Sequence, residues 1–186
     1  KAIFQLTRAK DLKLHLDGAR IFNVLVETGE NTLELGQYFD SISICLSKGL
    51  GAPVGSVLTG TKEFIAKARK VRKVMGGGMR QAGYLAAAGI YALDHHIIDL
   101  KRDNDNAKRV GLKLENISWV DYVLPIRTNI IIFYLKPPFN STQVVAKLKD
   151  KKILASPFGE NAVRWVFHRD ITDEMMNELL LRMDQL

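Results

Sequence analysis

Ser41-Ile42-Ser43-Ile44-Cys45-Leu46-Ser47-Lys48-Gly49-Leu50-Gly51-Ala52-Pro53-Val54-Gly55-Ser56-Val57-Leu58 is the stretch on which the reading of the fold turns. Residues 41–46 have the apolar, β-branched texture of a buried strand. Lys48 follows almost at once, between small residues, and residues 54–58 read as a second strand closing on Thr59-Gly60. A lysine in that position is poorly placed for solvent. Burial lowers the pKa of an amine and makes it a usable nucleophile. The neighbouring glycines let a flat group and the backbone approach closely. A surface lysine in a tight turn is the plainer alternative.

Upstream, residues 3–10 read as the end of a helix, and 12–17 alternate as a strand does, with Gly18 breaking them. Residues 20–27 look helical and stop at Gly29, and 32–38 form a short amphipathic segment. Downstream, Thr61 starts a helix with Glu63 in its first turn, which runs to about Val74 and breaks at Gly76-Gly77-Gly78. Residues 81–93 form an Ala-rich helix, apolar almost all round and therefore expected to be buried. Residues 97–116 form a polar-faced helix expected to link two lobes. Strands are expected at 120–125, 129–135, 152–155 and 163–168. Helices start at Ser141 and after Thr172. The expected fold is α/β, with an α/β domain over residues 1–100 and a small α+β domain over 101–186.

Composition narrows the function. The 186 residues are 47% hydrophobic and 25% charged, ordinary for a globular chain. No apolar run approaches the roughly 20 residues that a membrane-spanning helix needs, and charges interrupt the N-terminal stretch where a signal peptide would be apolar. A single cysteine, Cys45, excludes an intramolecular disulfide framework and suits a reducing, cytoplasmic setting. The net charge is +7, but the basic residues are scattered apart from clusters at 62–73 and 147–152. No aromatics interleave with them, so a solvated face or a basic helix near an anionic cofactor is expected, and no nucleic acid, membrane or metal.

Four motifs carry chemistry. Leu16-Asp17-Gly18-Ala19-Arg20 sets a carboxylate at a strand end, where ligands of open α/β sheets bind; a helix cap or salt bridge is the bland reading. Ser47 to Pro53 sets the lysine. Gly76 to Gln81 offers glycine amides and Arg80 for a phosphate, or a flexible loop between helices. Val163-Arg164-Trp165-Val166-Phe167-His168 places an arginine in an apolar strand, where it needs an anion or a buried partner. Among the histidines, His15 shares a strand face with Asp17 and can orient it, His95 and His96 read as a helix-end feature, and His168 reads as a strand histidine near Arg164.

Taken together, residues 14–23, 38–58 and 76–83 closely resemble low-specificity L-threonine aldolases, pyridoxal-phosphate enzymes of the aspartate-aminotransferase-like superfamily. The likeness runs nearly end to end, is densest over 14–93, weakens over 100–160 and returns at 164–168. It implies a mainly parallel large domain of fold type I plus a small C-terminal domain, pyridoxal 5'-phosphate as cofactor, and an amino-acid substrate in a dimer or tetramer with shared sites. Lys48 matches the lysine that carries the cofactor, Asp17 the carboxylate on its ring nitrogen, and Arg20 the arginine beside its phenolic oxygen. Arg80 matches a residue near a cofactor phosphate, and Arg164 the arginine that binds the substrate carboxylate. The family's glycine-rich phosphate loop and ring-stacking histidine match no segment here, so the chain is expected to be the C-terminal half of a longer enzyme.

Overall fold

Short strands with a polar residue at every second position pair best where one face packs and the other carries function. His15–Asp17 (β1) and Ser41–Cys45 (β2) are such strands, and they pair in parallel with His15 opposite Ser41 and Asp17 opposite Ser43. Ser56–Gly60 (β3) adds antiparallel to β2, giving the order β1-β2-β3. The computed structural model describes residues 1–186, divided into two compact units, Lys1–Ile98 and Asp99–Leu186.

The first unit also contains the helices Ala2–Ala9 (α1), Ile21–Thr28 (α2), Thr32–Gly36 (α3), Lys62–Val74 (α4) and Gly83–His95 (α5). Asn31 and Thr61 cap α3 and α4, accepting from the Leu33 and Phe64 amides. Asp40 ties α1 to the sheet: it accepts from the Leu14 amide at 2.8 Å and from both Arg8 nitrogens at 3.2 and 3.0 Å. Those bonds, the Leu14 amide foremost, hold its carboxyl down at about 2. The buried apolar set is small, comprising Leu25, Leu46, Leu50, Ala52 and Ala92.

The expectation of a buried Ala-rich helix is not met. In α5 only Gly89, against Leu46, and Ala92 are buried, while Tyr84 is 90% exposed and Ile90 and Tyr91 are exposed too. A helix apolar on all sides needs cover on all sides, and within this unit only one stripe of it is covered.

The second unit is a four-stranded antiparallel sheet in the order β4-β5-β7-β6, built from Val120–Val123 (β4), Ile130–Leu135 (β5), Ser156–Pro157 (β6) and Ala162–Val166 (β7). Ile131, Phe133 and Leu135 alternate into the core, meeting Val163 and Trp165 of β7. Leu100–Leu114 (α6), Ser141–Asp150 (α7) and Asp173–Met183 (α8) close that face with Ala107, Val110, Leu114, Val144, Leu148 and Met176. The helix read as a link between lobes thus lies wholly in this unit and supplies its core.

Two local readings change here. Asn140, not Ser141, caps α7, and the Ser141 hydroxyl donates instead to the Gly159 carbonyl at 2.7 Å. The strand expected at 152–155 does not form, because Lys152 turns to φ 57° and the Ile153 amide closes α7 on the Leu148 carbonyl. No helix of the chain is long and apolar enough to cross a membrane.

One charge sits badly in the second core. Asp103 of α6 is 1% exposed and neither of its carboxylate oxygens has a hydrogen-bond partner. Burial pushes its carboxyl up to about 6, against the pull of Arg102, His168 and Arg169 and with a small push from Asp99. A carboxyl whose folded pKa exceeds its unfolded value binds its proton more tightly when folded. Its stabilising effect is full below the unfolded value near 3.8 and is lost as pH rises through about 6. Asp103→Asn is therefore expected to stabilise the second unit by roughly 1–3 kcal/mol at pH 7.5 and to flatten its stability between pH 4 and 6. Denaturant titrations read by tryptophan fluorescence check this, since Trp119 and Trp165 both lie in this unit's core.

Candidate active site

The carboxyl ends of the parallel pair build the site. Asp17 is the last residue of β1, and Lys48 stands three residues beyond the end of β2, so both lie at the same edge of the sheet. Gly18 makes this edge possible. Its amide donates to the Ser43 carbonyl at 2.8 Å, and a Cβ there would meet that oxygen at 2.9 Å and Ile42 Cγ2 at 3.2 Å. Only glycine lets the chain leave β1 so close to β2.

Asp17 is exposed and accepts from the Ala19 amide at 3.0 Å through Oδ1. His15, one pleat back on the same face, bonds through Nδ1 to the Ser41 hydroxyl at 2.8 Å. The ring expected to orient Asp17 is therefore held by β2. Arg20 is half-buried at the start of α2.

Lys48 opens a tight turn in which the Gly51 amide donates to the Lys48 carbonyl at 2.9 Å, with Gly51 at φ 69°. The Ala52 amide returns to the Leu46 carbonyl at 3.0 Å. Gly49, Leu50 and Ala52 are buried, whereas the Lys48 side chain is exposed. The sequence reading expected a desolvated amine. The structure anchors the residues around it and leaves the amine itself open, because the small neighbours that pin the main chain have no bulk to cover a long side chain.

The triglycine reading is also corrected. Gly76, at φ 79°, donates to the Lys73 carbonyl and Gly77 to the Arg72 carbonyl, so these two amides finish α4 instead of standing free for a phosphate. Arg80, exposed in the turn before α5, is the cation that this segment presents.

In the second unit, Arg164 lies on β7 opposite Ile132 and Ser156, on the sheet face away from Val163 and Trp165. It is half-buried, and no carboxylate of the unit pairs with it. His168, two residues past β7, is exposed and paired with Asp170 at 3.3 Å.

Within the first unit, the Lys48 amine, the Asp17 carboxylate and the Arg20 and Arg80 guanidinium groups are of the kinds that suit a phosphorylated pyridine aldehyde. The ring end fits better than the phosphate end, since two of the three glycine amides are already used.

The architecture belongs to a wide class. A threonine aldolase from Leishmania major superimposes with a TM-score of 0.77 at 18% identity, over 98% of this chain and 54% of that one. The histidinol-phosphate aminotransferase from Clostridium acetobutylicum superimposes at 0.68 and 15% identity, over 100% and 58%. The fold is thus the α/β fold that these two structures share, as the sequence reading expected. Residues 1–137 match the family described as Beta-eliminating lyase, and the chain belongs to that family. Its sequence is 43% identical over 181 residues to the low specificity L-threonine aldolase of Escherichia coli (strain K12), covering 96% of this chain and 52% of that protein. It is 37% identical over 171 residues to low-specificity L-threonine aldolase 1 of Arabidopsis thaliana, covering 90% and 48%. The chain spans about half the length of the curated relatives it matches.

Gly18→Ala is expected to destabilise the first unit by about 1–3 kcal/mol, because the added methyl meets backbone that cannot yield without opening the β1–β2 pair. Amide exchange at Gly18 and along β2 should quicken, while the tryptophan-reported unfolding of the second unit stays in place.

Proposed function

We propose that the chain forms part of a pyridoxal 5'-phosphate enzyme that cleaves L-threonine or L-allo-threonine to glycine and acetaldehyde, serving threonine breakdown and glycine formation. The observation that carries this reading is the shared sheet edge of Asp17 and Lys48 in a chain 43% identical to a low specificity L-threonine aldolase. Lys1–Ile98 is read as the C-terminal portion of the cofactor-binding large domain and Asp99–Leu186 as the small α+β domain.

When bound, the cofactor supplies an electron sink for the charge left on Cα as the Cα–Cβ bond breaks. Lys48 would hold the cofactor through its amine. Asp17, with Oδ1 engaged by the Ala19 amide, would offer its other oxygen to a proton on the ring nitrogen. Arg20 would balance the phenolic oxygen, and Arg80 would add charge at the phosphate. Arg164 grips the substrate carboxylate in a two-pronged ion pair, which sets the orientation of the scissile bond. An amino acid is the small-molecule partner. A homo-oligomer, dimer or tetramer with shared sites, is supported by the exposed apolar residues Val74, Met75, Tyr84 and Ile90. The lone Cys45 supports a cytoplasmic setting.

Lys48→Ala is expected to abolish covalent cofactor attachment and to lower acetaldehyde release by about a thousandfold or more. Arg164→Leu is expected to raise KM for threonine by about 10- to 100-fold, with a smaller fall in kcat. Steady-state assays coupled to acetaldehyde reduction read both. The family's description favours β-elimination as a second reading. Pyruvate from serine, without acetaldehyde from threonine, would establish that reading and reject the first.

A further inference from the structure

We infer that His96 is a positioning residue that fixes the root of Lys48 by gripping the turn that carries it. The inference rests on the assignment of Lys48 proposed above. The ring Nδ1 of His96 lies 2.6 Å from the Leu50 carbonyl oxygen, a bond spanning 46 residues of sequence. A carbonyl oxygen only accepts, so Nδ1 carries the proton and donates. The neutral ring is therefore the Nδ1–H tautomer, and adding a proton at Nε2 leaves the donor in place.

The bond falls at a position where it controls the loop. Leu50 is the third residue of the Lys48–Gly51 turn, and its carbonyl is held by neither of the bonds that close the loop, Gly51 to Lys48 and Ala52 to Leu46. Without His96, a buried carbonyl in a 3% exposed residue would lose its partner. The donor is itself fixed. His96 follows directly on α5, its own amide donates to the Ala92 carbonyl at 2.9 Å, and Tyr91 meets its ring edge-on at 5.4 Å. Ala92 is 1% exposed, and Gly89, one turn earlier, lies so close to Leu46 that a Cβ there would meet Leu46 Cδ1 at 2.9 Å. The end of α5 thus clasps both sides of the lysine loop, through Leu46 by packing and through Leu50 by hydrogen bond.

Because the Lys48 side chain is exposed, its aim depends on this backbone. His96 acts by holding main chain, not by exchanging protons with substrate, and a variant that preserves the donor preserves the function. In His96→Asn the amide nitrogen occupies nearly the place of Nδ1; in His96→Phe the ring shape remains and the donor is gone.

The test compares these variants in the intact protein by two readouts besides turnover. One is amide hydrogen exchange over residues 48–52. The other is the amount of pyridoxal phosphate fixed on Lys48 by borohydride reduction and located by peptide mapping. His96→Phe is expected to speed exchange about fivefold to tenfold and to lower the Lys48 adduct severalfold at subsaturating cofactor, with His96→Asn within about twofold of wild type in both. Where His96→Phe does not fold, His96→Gln replaces it, since its amide reaches the Nε2 position instead, and the same losses are expected. Wild-type exchange and adduct in the donorless variant overturn the inference, as does an Asn variant as impaired as the Phe variant. Absence of any Lys48 adduct in the wild-type protein overturns the Lys48 assignment itself and the positioning role with it, whereas the exchange readout fails only if the tether is wrong.

Discussion

The close approach of Gly18 to Ser43 is the constraint from which the candidate site follows. A parallel pair brings the carboxyl ends of two strands to one edge, but the edge serves chemistry only if the chain can leave the first strand without pushing the second away. The Gly18 amide bonds to the Ser43 carbonyl at 2.8 Å, and the space where a side chain would begin is filled by that same carbonyl. Asp17 and Lys48 become neighbours of one edge because of this contact, although 30 residues of sequence lie between them. Everything proposed for them presumes that β1 and β2 keep this register.

The two units solve the burial problem differently. In Asp99–Leu186, one sheet face and three helices enclose an apolar cluster in which Phe133, Leu148 and Met176 are wholly buried, and Phe133 meets Trp165 edge to face at 5.5 Å. Burial of that extent supplies the driving force for folding, and it tolerates the misplaced charge of Asp103. In Lys1–Ile98 the sheet has three strands, β3 is exposed along its length, and the residues that are buried cluster around Leu46, Leu50 and Ala92. The best-packed part of this unit is thus the support of the lysine loop, not the sheet as a whole.

Much of this was legible in the sequence, for physical reasons that differ by element. Thr61 and Thr172 announced their helices because a threonine followed by an acidic first turn caps by short-range bonds alone. The alternation in 130–135 announced β5 because one face of that strand is buried and the other is not. Local competition hid the rest. At 152–155 the apolar residues suggested a strand, but the closing bonds of α7 claimed the backbone first. At Gly76 and Gly77 the glycines suggest an anion cradle, yet the carbonyls at the end of α4 accept from both amides. For α5, periodicity described what the helix would bury if covered, and composition alone does not provide the cover. The sequence marks His96 only as a helix-end feature because its partner lies 46 residues away, and a histidine just past a helix does not name an acceptor.

The exposure of Lys48 decides how its precision can arise. A lysine has a flexible four-carbon stem carrying about 2 kcal/mol of rotamer entropy, so a buried lysine can be aimed by the walls around it. An exposed one cannot. What this chain fixes is the origin of the stem: the turn bond from Gly51, the return bond from Ala52 and the grip of His96 on Leu50 pin the backbone between Leu46 and Ala52 around it. The side chain itself is exposed, at the same sheet edge as Asp17. Rigidity of the main chain and freedom of the side chain are therefore complementary parts of one arrangement.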